Sequence, residues 1–174
     1  MKKSVFVAVG LLFSLILAAC GNDATVGSEV KDIKEKVNEF SVGSFPDDLT
    51  ASITSDELIV TDKGKKTTYG LPSDEFFVSI APFITTTHPC GNHSLTGCQG
   101  ELVKKYFDWF ITDEEGNLII DETIVSLENG FIDLWLPRNT TFNVKISYDG
   151  KTAESKISTF TGDNTCITTM QLSL

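Results

Sequence analysis

The chain has 174 residues, enough for one domain with at most a small appendage. Its apolar content of 41% and its twelve phenylalanines can supply a globular core. With 24 acidic and 14 basic residues the net charge is −10, which excludes nucleic acid as a partner because phosphate binding needs a basic surface.

Met1-Lys2-Lys3-Ser4 is a short positive segment, and Val5 to Leu17 is an apolar run interrupted only by Gly10 and Ser14. The run is too short for a comfortable membrane span and reads as an export signal over residues 1–19. Leu17-Ala18-Ala19-Cys20 resembles the lipobox of bacterial lipoproteins, which implies cleavage before Cys20 and a lipid on its thiol. The expected protein is then exported, lies on the extracytoplasmic face of the cell membrane and is held there by the lipid. Loss of Lys2 and Lys3 leaves 12 basic against 24 acidic residues, a net charge of −12.

Residues 20–27 read as a polar tether. Residues 28–72 read as a small N-terminal region, a helix followed by short strands. Ser28 is placed to cap the helix. Val30, Ile33, Val37 and Phe40 form its apolar stripe, and Gly43 and Pro46 end it. Such a stripe must dock on the chain's own sheet or on a second protomer, so a homodimer stays open. Three β-type runs follow between Leu49 and Tyr69, with turns at Ser55-Asp56 and Asp62-Lys63-Gly64-Lys65.

Past a boundary at Leu71–Asp74, residues 73–174 read as an antiparallel β-sandwich, so the chain as a whole is mainly β. Phe76 to Ile84 is nearly continuous in apolar residues, which suits a strand buried on both sides. Runs at Tyr106–Thr112, Leu118–Ile124, Gly130–Leu136, Thr141–Tyr148 and Lys151–Phe160 follow. Asp149-Gly150 is a strong hairpin signal. Cys166–Leu174 is the expected last strand.

The chemistry is concentrated in His88-Pro-Cys-Gly-Asn-His-Ser-Leu-Thr-Gly-Cys-Gln-Gly-Glu101. This stretch, punctuated as a loop, holds both histidines and two of the three cysteines beyond Cys20. Thiolate and imidazole suit Cu(I) or zinc. The seven residues between Cys90 and Cys98 differ from the short spacing of a structural zinc knuckle. Cys166 can join them if the sandwich brings the last strand to the same end. His88 and His93 can then assist capture of Cu(II). Three cysteines leave one thiol unpaired after any internal disulfide. The alternatives are a metal or redox site, a structural disulfide (Cys90–Cys98 or Cys98–Cys166) and intermolecular pairing. A nine-residue disulfide loop contributes ~2.5 kcal/mol in the chain-entropy model. Met170 reads as core with a thioether ligand as the alternative, Trp109 and Trp135 read as core, and Glu101 reads as surface, with a base beside the ligands or a cap at a strand end as its alternatives. No hydrolase triad, paired-carboxylate pattern or phosphate loop stands out.

The loop, together with Tyr69-Gly-Leu-Pro-Ser-Asp-Glu-Phe-Phe-Val-Ser-Ile-Ala-Pro82, Gly130-Phe-Ile-Asp-Leu-Trp-Leu-Pro137 and Asp163-Asn-Thr-Cys-Ile-Thr-Thr-Met170, resembles the CueP family of exported bacterial copper-binding proteins. The resemblance covers roughly residues 45–174. It implies copper as the cargo, carried on Cys90, Cys98 and Cys166. It implies sequestration of copper, reduction of Cu(II) and delivery to a copper enzyme such as a superoxide dismutase. It also implies a two-part architecture whose N-terminal region takes part in dimerisation. The lipobox departs from a freely diffusing form. The expectation is a copper-binding, lipid-anchored protein that is not an enzyme in the ordinary sense. Its rivals are a thiol-disulfide redox protein and an adhesion module with one disulfide.

Overall fold

The computed structural model describes residues 23–174. The expected export signal, Cys20 and the first residues of the tether lie outside the described residues. Among those described, no helix is long and apolar enough to cross a membrane.

Helix α1 spans Asp23–Val42, beginning five residues before the expected cap at Ser28. Nothing in residues 23–27 stops a helix: there is no proline, and the single Gly27 costs only about 1 kcal/mol. Ile33, Val37 and Phe40 are buried as the apolar stripe requires. They pack within the same chain, against Ala51, Ile53 and Leu58.

Those three residues come from an antiparallel meander of β1 (Leu49–Ile53), β2 (Glu57–Asp62) and β3 (Lys65–Gly70). Next come β4 (Glu75–Ile80), the two-residue β5 (His93–Ser94), β6 (Tyr106–Asp113) and β7 (Leu118–Val125). β8 (Ile132–Pro137), β9 (Thr141–Tyr148), β10 (Lys151–Ser158) and the two-residue β11 (Cys166–Ile167) complete the chain. The sheets have the orders β3-β2-β1-β5, β10-β9-β6-β7 and β11-β4-β8.

The second and third sheets form the sandwich. Phe107, Trp109 and Ile111 of β6 share one core with Phe76, Val78 and Ile80 of β4 and with Ile132, Leu134 and Leu136 of β8. The alternate residues of β4 point the other way, and Phe77 enters the core beneath α1. A strand with apolar side chains on both faces is what the nearly continuous run at 76–84 encodes. β4 is therefore the common wall of the two cores. Trp109 and Met170 both belong to the sandwich core, whereas Trp135, also expected there, is only half-buried and packs against the core beneath α1.

Polar links fasten the helix to this wall. Asp133 on β8 accepts hydrogen bonds from Ser41 Oγ at the end of α1 (2.6 Å) and from Ser79 Oγ on β4 (2.5 Å). Burial pushes its carboxyl above the usual range, against the opposing pull of the two hydroxyls. Lys34 pairs with Glu75 and lies 5.2 Å from the ring centroid of Trp135.

The expected antiparallel strand Cys166–Leu174 is corrected in two respects. Only Cys166–Ile167 is strand, and it runs parallel to β4. Beyond it lie two isolated bridges, Phe83–Gln171 and Thr152–Ser173. Ser79, Ala81 and Phe83 donate in turn to Thr165 O, Ile167 O and Met170 O, so the segment after β11 carries one extra residue between Ile167 and Met170, and the ladder breaks there. It resumes at Phe83, which donates to Met170 O (3.1 Å) and accepts from Leu172 N (2.8 Å).

Candidate metal centre

The cysteine-histidine stretch is a loop with a short strand in its middle. β5 adds to the edge of the meander through the pairs Ser52–Ser94 and Ile53–His93. Leu95 N donates to Ala51 O (2.9 Å), and Thr96 Oγ1 accepts from Ala51 N (3.1 Å). A tight turn follows, in which Cys98 N donates to Ser94 O (3.0 Å), and it returns Cys98 to the side of Cys90. Meanwhile β11 brings in Cys166 alongside Ser79 of β4. The centre thus forms where the edge of the meander meets the parallel edge of the sandwich.

One ligand atom each from Cys90, His93, Cys98 and Cys166 lie within 4.8 Å of one another. His93 Nδ1 is 3.5 Å from Cys166 Sγ, and Cys98 Sγ is 3.7 Å from Cys90 Sγ. His93 and Cys166 are buried, whereas Cys90 and Cys98 are half-buried. The set therefore has a dry inner side and an accessible outer side. Phe131 makes the floor, with its ring centroid 4.5 Å from that of His93. With Ala81 and Cys166 it forms a small apolar cluster against which Cys90 and Cys98 pack.

Desolvation by burial, reinforced by the nearby His88, lowers the pKa of His93 to about 4. The imidazole is consequently neutral at neutral pH, with a lone pair available to a metal. Its Nε2 is buried with no hydrogen-bond partner. Three sulfurs and one neutral imidazole nitrogen, half shielded from water, are a donor set suited to a soft monovalent ion.

A disulfide joins Cys90 to Cys166 and leaves Cys98 free. This differs from both pairings considered from the sequence. Spacing favoured the nearby Cys98, but the fold sets Cys90 and Cys166 side by side with Cα atoms 5.6 Å apart. Cys166 N donates to Gly91 O (2.9 Å), which holds the two segments together. Closing a 76-residue separation contributes on the order of 4 kcal/mol in the chain-entropy model.

His88 is not one of the four mutually close ligands. It flanks them, lining a groove of about 540 Å³ with Phe83, Thr87, Pro89, Cys90, Thr168 and Thr169. Two threonines hold this flank. Thr87 Oγ1 donates to Thr168 O (2.6 Å), and Thr168 Oγ1 donates to His88 O (2.7 Å).

Glu101 is a cap. Its carboxylate accepts from the backbone N–H groups of Ile84 (2.7 Å), Thr85 (2.9 Å) and Thr86 (3.2 Å). Slight desolvation raises its pKa, but the three donors outweigh this and hold the carboxyl below its usual range. The segment so fixed leads directly into His88. Because the folded-state pKa is depressed, the contribution is present above the unfolded carboxyl pKa and fades as pH falls through the folded value. Glu101→Gln is expected to lower stability by about 1 kcal/mol at pH 7, since the bonds are charge-assisted but solvent-exposed. Thermal melts at pH 7 and at pH 3 should show the two proteins converging at the lower pH.

Two residues at the centre escaped the sequence reading, Phe131 and Thr165. Both lie inside stretches singled out for other reasons, and neither type is distinctive as a ligand.

No curated protein matches the chain. A solved structure described as "Crystal Structure of S.CueP" is 41% identical, with a TM-score of 0.78, over 86% of this chain and 94% of that one. The family model described as "Periplasmic copper-binding protein CueP" matches residues 32–171. That match takes in the second half of the helix, the meander, β4 and all four clustered ligands, and the chain belongs to the CueP family of periplasmic copper-binding proteins.

Proposed function

We propose that this protein captures copper outside the cytoplasm and holds it as Cu(I) on the sulfurs of Cys90, Cys98 and Cys166, with His93 Nδ1 as a further donor. The observation that carries this reading is the convergence of those four atoms within 4.8 Å. His88, on the flanking groove, serves first contact with incoming Cu(II). Lipid on Cys20 keeps the protein at the membrane, where bound copper is sequestered for tolerance or passed to a copper enzyme. The binding unit is the single chain, and any homodimer is built around it.

Thiol redox belongs to the same reading. Two Cu(II) ions each take one electron from the reduced Cys90–Cys166 pair. The sulfurs join as a disulfide, two Cu(I) form, and the thiol protons leave to solvent. The step is stoichiometric, not enzymatic turnover, and a dithiol reductant must reopen the disulfide before the three-sulfur site is restored. A second reading, a thiol-disulfide redox protein with incidental metal binding, is favoured by Cys98 Sγ lying 3.7 Å from a sulfur of the disulfide.

Titration of the fully reduced protein with Cu(I) against a competing chelator, without air, separates the two. Tight binding that is lost when all three cysteines are replaced by serine supports the copper site. A Kd of about 1 μM or weaker, unchanged in that variant, overturns it and leaves the redox reading.

A further inference from the structure

The two buried ligands arrive on the two shortest strands of the fold. His93 lies on β5 in the meander sheet, and Cys166 lies on β11 in the parallel-edged sheet. Each strand has only two residue pairs to hold it, Ser52–Ser94 with Ile53–His93 and Ser79–Cys166 with Ile80–Ile167. Strands this short are held mainly by what lies around them. Yet the soft donor set needs imidazole and sulfur at a set separation.

One buried hydroxyl spans the junction. Thr165, immediately before Cys166, is fully buried. Its Oγ1 donates to Ile53 O (2.6 Å) and accepts from His93 N (3.0 Å). Its carbonyl accepts from Ser79 N (2.8 Å). The side chain therefore grips β1 and β5 while the backbone of the same residue is fixed to β4. The direction of each bond is determined by chemistry. An amide N–H can only donate and a carbonyl can only accept, so the atom between them must do both. A hydroxyl does so, and an alkyl group of the same shape leaves a buried N–H and a buried C=O unpaired.

We propose that Thr165 is a positioning residue of the metal centre, whose hydroxyl locks the backbone of His93 to that of Cys166 and so sets the separation between imidazole Nδ1 and Sγ. This rests on the copper-site reading above. The role parallels that of outer partners that orient metal ligands, whose loss typically lowers affinity about 10–100-fold.

The test compares Thr165→Val with Thr165→Ser, each fully reduced and titrated anaerobically with Cu(I) against a competing chelator. Thr165→Val is expected to lose about tenfold in affinity, and Thr165→Ser to stay within about threefold of the unmodified protein. A general loss of packing would act independently of the imidazole. The same Val substitution is therefore made in a His93→Gln background, where it should add less than about twofold. In the metal-free protein, amide hydrogen exchange at His93 should speed up in the Val variant and not in the Ser variant. Equal affinity of Thr165→Val and the unmodified protein, or a full tenfold loss in the His93→Gln background, overturns the inference. Absence of tight Cu(I) binding by the unmodified protein overturns the copper-site reading instead, and the hydrogen-exchange comparison still decides whether Thr165 fixes His93.

Discussion

Replacing Cys166 with serine is expected to lower the Cu(I) affinity of the reduced protein by more than about 100-fold, the upper range for disturbing only the outer partners of a metal ligand. Cys166 is the most deeply placed sulfur, 3.5 Å from His93 Nδ1 and packed with Phe131 and Ala81. A serine hydroxyl there is a hard, neutral donor in an apolar pocket, poorly matched to Cu(I). Cys98→Ser removes a half-buried sulfur from the same cluster, so it too should weaken binding. The two variants part company in the oxidised state. Cys98→Ser keeps the Cys90–Cys166 disulfide and should melt within a few degrees of the unmodified protein. Cys166→Ser loses that cross-link, worth on the order of 4 kcal/mol in the chain-entropy model. It also leaves Cys90 and Cys98 with sulfurs 3.7 Å apart, free to pair. Competition titration gives the affinities, and melts with and without reductant give the cross-link contribution. Retention of tight Cu(I) binding by Cys166→Ser would remove the three-sulfur site from consideration.

Much of this arrangement was legible in the sequence because it follows from local pattern. The doubly apolar run at 76–84 announced β4 as a wall between two layers, and the stripe of Ile33, Val37 and Phe40 announced a docked helix. The clustering of Cys90, His93 and Cys98 announced the centre. What was hidden depends on long-range geometry. The pairing of Cys90 with Cys166 is invisible to spacing, because Cys98 is much nearer in sequence. It follows from β11 running parallel to β4 and from the bond between Cys166 N and Gly91 O. His88 and His93 look equivalent in the sequence, yet β5 turns one into the buried interior and leaves the other on a groove. Glu101 reads from the sequence as a surface acid or a cap at a strand end, and the path of residues 84–86 decides for the cap. Thr165 carried no signal, since a threonine before a cysteine is common and its two partners lie 72 and 112 positions away.

Gly130→Ala is expected to be the most damaging single-atom addition near the centre, destabilising the protein by about 3 kcal/mol. Two costs combine. Gly130 has φ +79°, in the left-handed region, where a side chain costs roughly 1–2 kcal/mol. A Cβ there would also lie 2.6 Å from Gly100 O and 2.7 Å from Gly100 C, so backbone must move. Forcing such a shift in a packed region typically costs about 1–3 kcal/mol. The segment displaced is the one after Cys98, held at present by Gly100 N donating to Asn129 O (2.6 Å). Pushing it outward should draw Cys98 away from Cys90, so Cu(I) affinity should fall along with stability. Gly150→Ala supplies the control, with φ +74° and nothing within 4 Å of the added carbon. It carries the conformational cost alone and should lower the melting temperature by only a few degrees, against roughly 10 °C for Gly130→Ala. Near-equal melting of the two variants would mean that the 98–101 segment yields freely. In that case the position of Cys98 would be set by its own turn, through Cys98 N and Ser94 O, with no contribution from the crossing of Gly100 over Gly130.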